Sequence, residues 1–227
     1  MIRNKVSFKV LILFIVMFMC LSIFFTFIKV MALNKEQFSL VGKTILIDAG
    51  HGGKDNGASI DDVMEDNINM KISGYLFEFL IDSGAYVLMS RTGDYDLASL
   101  YQKNRKREDL NNRVKYINHS RPDIFISVHL NTYSSDAVSG AQVFYQENET
   151  SKKLAESIQN RLNVLCNKVR KTKRGDYFIL NKSNYTGVLI ECGFLSNPIE
   201  RIRLNDDSYQ KKIASKIKLA VIDYFNM

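Results

Sequence analysis

The apolar pattern of this chain has two parts. The first is an uncharged stretch over 10–28, VLILFIVMFMCLSIFFTFI, preceded by Arg3, Lys5 and Lys9 and by no acidic residue. A helix of that length spans a bilayer core of about 30 Å. The basic flank belongs on the cytoplasmic side, which places everything from about residue 33 outside. The stretch is longer than the roughly 7–15 apolar residues usual in a cleaved signal peptide, so it reads as an anchor. Val30-Met31-Ala32 resembles a cleavage site, and a signal peptide is the alternative. Residues 1–32 are therefore a membrane anchor or signal peptide, 33–42 a short linker and 43–227 one domain.

In that domain two rhythms alternate. Short apolar runs at 44–49, 85–90, 124–128 and 188–190 read as buried strands, and 140–145 alternates like an edge strand. Between them apolar residues recur at helical spacing: Ile68, Ile72, Leu76, Phe79 and Leu80 within 66–82, stopped by Gly84, then Leu110, Val114 and Ile117, closed by Pro122. Leu154, Ile158, Leu162 and Leu165 mark a further helix, and Ile213, Ile217, Ala220, Val221 and Tyr224 a terminal one. Strands alternating with helices predict an α/β fold, a largely parallel central sheet flanked by helices.

Composition adds little to this. Hydrophobic residues make up 46% and charged residues 24%, as in an ordinary globular protein. The formal charge of +7 suits an anionic surface and general solubility equally. No basic patch is interleaved with aromatics, so nucleic acid is not the expected partner. The one basic run, KVRKTKRG at 168–175, reads as a solvated loop. Cys166 and Cys192 allow one disulfide in the exported part, too few for a disulfide scaffold.

The chemistry lies where the strands end. LIDAGHGGKDNGAS, at 46–59, runs from a strand into a histidine among glycines. It is not a phosphate loop: Lys54 is followed by Asp55, and Ala49 stands where a P-loop needs glycine. The third glycine of a dinucleotide fingerprint is missing as well. His51, His129 and Glu191 each follow a short apolar strand, so parallel strands would bring all three to one sheet edge. Glu65 opens the next helix and can lean over that edge. Two histidines with one carboxylate form a catalytic metal site with an open position, and a second carboxylate can serve as general base. Spacing alone does not say which glutamate does which. Glu191 is hard to explain otherwise, since a carboxylate directly after Val188-Leu189-Ile190 is costly to bury unpaired.

DAGHGGKDNGA, the Glu65 of MEDNINMKIS, SVHLN and LIECGFLSNPIE together resemble the zinc-dependent N-acetylmuramoyl-L-alanine amidases of bacterial cell walls. The motifs stand in the family's order and cover about 43–225; the short single domain behind a membrane segment is most like the family's spore-cortex branch. The resemblance implies one zinc ion held by His51, Glu65 and His129, with Glu191 as general base and acid. It implies cleavage of the amide between N-acetylmuramic acid and L-alanine, and in the spore branch removal of stem peptides ahead of muramic-δ-lactam formation. Peptidoglycan is then the partner, with the membrane engaged through the N-terminal segment. An accessory protein or a homo-oligomer stays open. YQKNRKRED at 101–109 is more basic than the family's general autolysins would suggest.

Two other readings use the same residues: a zinc exopeptidase, and a peptidoglycan-binding protein without catalysis. Asp48 and Asn131 flank the ligands and are candidates to support them, with ordinary loop hydrogen bonding the alternative. Cys192 should face away from Glu191, into the core, because neighbours in a strand point to opposite faces. His119, just before Ser120-Arg121-Pro122, reads as a residue of a helix end.

Overall fold

The computed structural model describes residues 8–101 and 103–227, which fall into two units divided after Ser39. The first contains α1 (Phe8–Gln37), whose last turns take in residues assigned above to a linker. Its segment Val10–Lys29 is long and apolar enough to cross a membrane.

The second unit is built on a six-stranded sheet. In chain order its elements are β1 (Thr44–Ala49), β2 (Ser59–Ile60), β3 (Val63–Met64), α2 (Glu65–Asp82), β4 (Tyr86–Met89), α3 (Arg105–Ser120) and β5 (Ile124–Asn131). Then follow β6 (Gln142–Tyr145), α4 (Glu149–Asn163), β7 (Lys173–Arg174), α5 (Phe178–Lys182), β8 (Gly187–Phe194), α6 (Pro198–Leu204) and α7 (Asp207–Phe225). The strand order is β4-β1-β5-β8-β6-β7. The first four strands are mutually parallel, and β6 runs antiparallel to β8.

Both faces of the sheet are covered, which is why the strands read as nearly continuous apolar runs. Ile45 and Ile47 of β1, Ile124, Ile126 and Val128 of β5, and Val188, Ile190 and Cys192 of β8 join the larger core with α2, α4 and α7. The alternate residues Leu46, Phe125 and Leu189 join a smaller core with α3 and α5. By the same alternation Asp48, His129 and Glu191 project toward the α3–α5 side.

Four expectations change in detail. The segment at 140–145 is not the sheet edge: β7, from within the basic run, pairs with the outer side of β6. That run is also tied down, since Arg170 donates Nε to Ser139 O and lies over the Phe194 ring. Strand β8 does not stop at Glu191 but continues to Phe194. Cys166 and Cys192 are both free thiols, and Cys192 is in the core as its position in the strand predicts.

Candidate metal centre

At the carboxyl end of β1 the chain leaves the sheet through Gly50 and turns at His51, which has a left-handed backbone, φ +61°. Gly50 is required by close approach. A Cβ there would lie 2.3 Å from the His129 ring. The hairpin β2–β3 then returns the chain to the start of α2, where Glu65 is the first helical residue. Gly57 sits inside this loop at φ +66°, and a Cβ there would lie 2.5 Å from Glu65 Oε2. The glycines clear the space in which two histidines and a carboxylate meet.

The three side chains converge. Glu65 Oε1 is 3.2 Å from His51 Nε2 and 3.1 Å from His129 Nδ1. One donor atom from each of the three lies within 4.8 Å of the others. The imidazole rings meet edge to face, with centroids 5.0 Å apart. Two nitrogens and a carboxylate oxygen from three separate elements are a donor set that fits a divalent transition metal.

Two of the three, His51 and Glu65, are held from behind. The Nδ1 atom of His51 is 3.0 Å from Asp55 Oδ2. Glu65 accepts from Ala58 N, Leu130 N and Asn69 Nδ2. Burial opposes ionisation of Glu65, but hydrogen bonds and charge from His129 and His51 outweigh it and hold the carboxyl well below the usual range. For His51, burial favours the neutral ring, yet the Glu65 and Asp55 carboxylates overcome it and raise its pKa.

Glu191 is placed differently. It is the register partner of His129 on the adjacent strand and is only 7% exposed. Its Oε1 accepts from the Tyr177 hydroxyl at 3.4 Å, and Oε2 has no hydrogen-bond partner among the described residues. Burial is the main cause that pushes its carboxyl up to about 7; His129 pulls against this and Glu65 adds to it. A poised, half-satisfied carboxylate beside the three gathered residues has the features of a proton carrier. A cavity of about 140 Å³ opens next to both histidines, walled by Leu110, Tyr177, Phe178, Ile179 and Leu189.

The four residues named from the sequence thus meet at one place. Asp48 and Asn131 do not touch the histidine rings in any hydrogen bond. Asp48 accepts from Arg113 Nη1 and Ser127 Oγ, and Asn131 uses its backbone oxygen to accept from Leu195 N. His119 lies in the last turn of α3, ahead of β5 and so at the opposite end of that strand from His129. Sequence reasoning passed over Asp55, Asn69, Arg91, Arg113 and Tyr177. Asp55 and Asn69 each stand four residues from a ligand, the one signal that pointed to them.

Residues 45–223 match the protein family described as N-acetylmuramoyl-L-alanine amidase. The germination-specific N-acetylmuramoyl-L-alanine amidase of Bacillus subtilis is 42% identical over 226 residues, covering 90% of this chain and 94% of that protein. Among solved structures, the CwlD amidase from Clostridioides difficile, in complex with the GerS lipoprotein, superposes with a TM-score of 0.79 at 37% identity. The match covers 82% of this chain and 99% of that one. An N-acetylmuramoyl-L-alanine amidase from Clostridium difficile 630 gives a TM-score of 0.73 at 29% identity, over 81% and 97% of the two chains.

Proposed function

This chain belongs to the N-acetylmuramoyl-L-alanine amidase family, and from that premise we propose that it is the zinc-dependent amidase that strips stem peptides from spore-cortex peptidoglycan. One observation carries the reading: the donor atoms of His51, Glu65 and His129 gather within 4.8 Å beside a buried carboxylate with a free oxygen, Glu191. The three gathered residues would hold one zinc ion. Zinc bound there would supply Lewis acidity toward the amide carbonyl and toward water.

The remaining steps belong to the chain's own groups. Asp55 accepts a hydrogen bond from the Nδ1–H of His51, which leaves Nε2 free to ligate. Glu65, kept ionised by its surroundings, brings negative charge to a cation. Glu191 takes a proton from the attacking water at its free Oε2 and returns it to the leaving alanine nitrogen. The Tyr177 hydroxyl holds the other oxygen and so fixes the plane of the carboxylate. The products are a stem peptide with a free N-terminal L-alanine and a glycan strand left uncut, whose N-acetylmuramic acid closes to the δ-lactam once a separate deacetylase has freed its amine.

The relatives support the setting. A germination-specific amidase is a close match over nearly its whole length, and a helix able to span a membrane precedes the catalytic unit here. We place the enzyme outside the cytoplasm, anchored or secreted, facing wall or cortex. The clostridial relative is held in complex with a lipoprotein, and an accessory exported protein is part of the proposal for this chain. Mass spectrometry of a peptidoglycan digest tests the reaction. Intact stem peptides beginning with L-alanine are expected. Reducing sugar ends, or single amino acids from the far end of the stem, would refute it.

A further inference from the structure

Two arginines that play no part in the reaction just described converge on the turn that carries His51. Arg91, 1% exposed, donates Nε to Ala49 O at 2.9 Å and Nη2 to Gly50 O at 3.0 Å. From the other flank Arg113, 2% exposed, donates Nη1 to Ala49 O at 2.7 Å and Nη2 to His51 O at 2.5 Å. Three successive carbonyls are therefore each gripped by a guanidinium. The grips are themselves anchored. Arg91 also reaches Asp66 O, next to Glu65, and Gly93 O. Arg113 is neutralised by Asp48 at 2.7 Å and Asp109 at 2.8 Å.

This arrangement is expensive unless it serves the turn. A left-handed backbone is strained for a residue with a side chain, and such a conformation persists only where its surroundings over-determine it. Buried cations next to a cation site also work against metal binding, which accounts for the two aspartates that neutralise Arg113. The planar fork of arginine is what meets several acceptors in fixed directions; an ammonium group cannot. We propose that Arg113 and Arg91 are positioning residues that set the affinity for zinc by fixing the carbonyls of Ala49, Gly50 and His51, and with them the direction of the His51 ring. The inference rests on the reading of His51 as a zinc ligand.

Arg113→Lys keeps a charge opposite Asp48 and Asp109 but offers one nitrogen to four acceptors. Zinc affinity of the full chain, purified in detergent, is measured by competition with a chromophoric chelator, alongside the melting temperature of the zinc-free protein. The affinity at a temperature well below that melting point should fall about 10–100-fold, the scale seen when groups behind metal ligands are altered. Arg203→Lys, in an arginine that reaches Leu165 O and lies over the Tyr209 ring, should bind zinc as the parent does. An Arg113→Lys protein that melts earlier but binds zinc with parental affinity overturns the proposal, because the clamp would then serve the fold alone. If Arg113→Lys does not fold, Arg91→Lys is judged by the same criterion. Failure of the parent chain to bind zinc is a separate outcome that removes the ligand assignment and this inference together.

Discussion

His129 and Glu191 are register partners on the adjacent parallel strands β5 and β8. A proposed ligand and the proposed base are thus spaced by the sheet itself. Both reach the α3–α5 side, where the cavity lies. His129 lines that cavity directly, and Glu191 meets it through the lining residue Tyr177, whose hydroxyl donates to Glu191 Oε1, so the two proposed duties fall to separate side chains.

Those duties should separate on mutation. Glu191→Gln keeps the shape of the side chain and removes the base. Hydrolysis should fall about 10²–10⁴-fold, the usual scale for general acid–base catalysis, while zinc content stays near parental. His129→Ala should lose both. If Glu191→Gln lost its zinc while Glu65→Gln kept it, the two glutamates would have exchanged roles.

Gly50→Ala tests the closeness of the ring behind it. The added methyl would enter at 2.3 Å from the His129 ring, so ring or backbone must shift. Zinc affinity should drop by about tenfold or more, comparable to loss of a group that orients a ligand. Metal analysis of the dialysed protein reads this directly, and a parental zinc content would contradict the packing.

Acid should weaken the fold through Asp48. Burial disfavours its charged form, but Arg113 and the Ser127 hydroxyl prevail and lower its pKa to about 2 from 3.8. A lowered carboxylate stabilises the fold fully above its unfolded value and loses that contribution as pH falls through the folded one. Asp48 should therefore contribute about 2 kcal/mol that disappears between roughly pH 4 and pH 2. Denaturant melts across that range should show the loss, and Asp48→Asn should flatten it.

The pH–rate profile should report the surroundings of Glu191. Burial pushes its carboxyl up to about 7, and a cation in the site pulls it back toward the ordinary range. As only the ionised form accepts a proton, kcat/KM of the zinc-saturated enzyme should fall as pH drops through a limb below about 7. Tyr177→Phe removes a donor to the ionised form, so the limb should move upward, toward less acidic pH. A limb that stays in place would show that the phenol does not act on the base.

A boundary test concerns the N-terminal segment. Leu40 is fully buried and its N–H bonds to Ser83 O. A chain beginning at Ser39 should be soluble and melt cooperatively. One beginning at Val41 loses a buried leucine and should be about 1.5–3 kcal/mol less stable. Equal stabilities in urea titrations would mean that Leu40 contributes nothing to the core.

Much of this was legible before any coordinates. The strand ends announced themselves because an apolar run that stops at histidine or glutamate has few innocent explanations. The long helices α2, α3, α4 and α7 followed from spacing, with α2 opening at Glu65; the short α5 and α6 carry too few apolar residues to set a period. What escaped was chemistry carried by charge in polar surroundings. Arg113 sits in RKREDLNNRVKYINHS, a helix whose composition reads as solvent-facing, and its i, i+4 pairing with Asp109 looks like any surface ion pair. Only the fold reveals that this pair is buried. Strand β7 escaped for a related reason: two basic residues make no pattern, and they are a strand because β6 offers them a free edge.

The turn at His51 also bears on timing. A ligand on a mobile arm must find its geometry after the ion arrives, and capture is then as slow as the backbone rearrangement. In this protein the left-handed kink is set by groups of the folded sheet and of α3 that bond its carbonyls. Loading of zinc at the proposed site should therefore proceed at the pace of diffusion and water exchange, in a single kinetic phase.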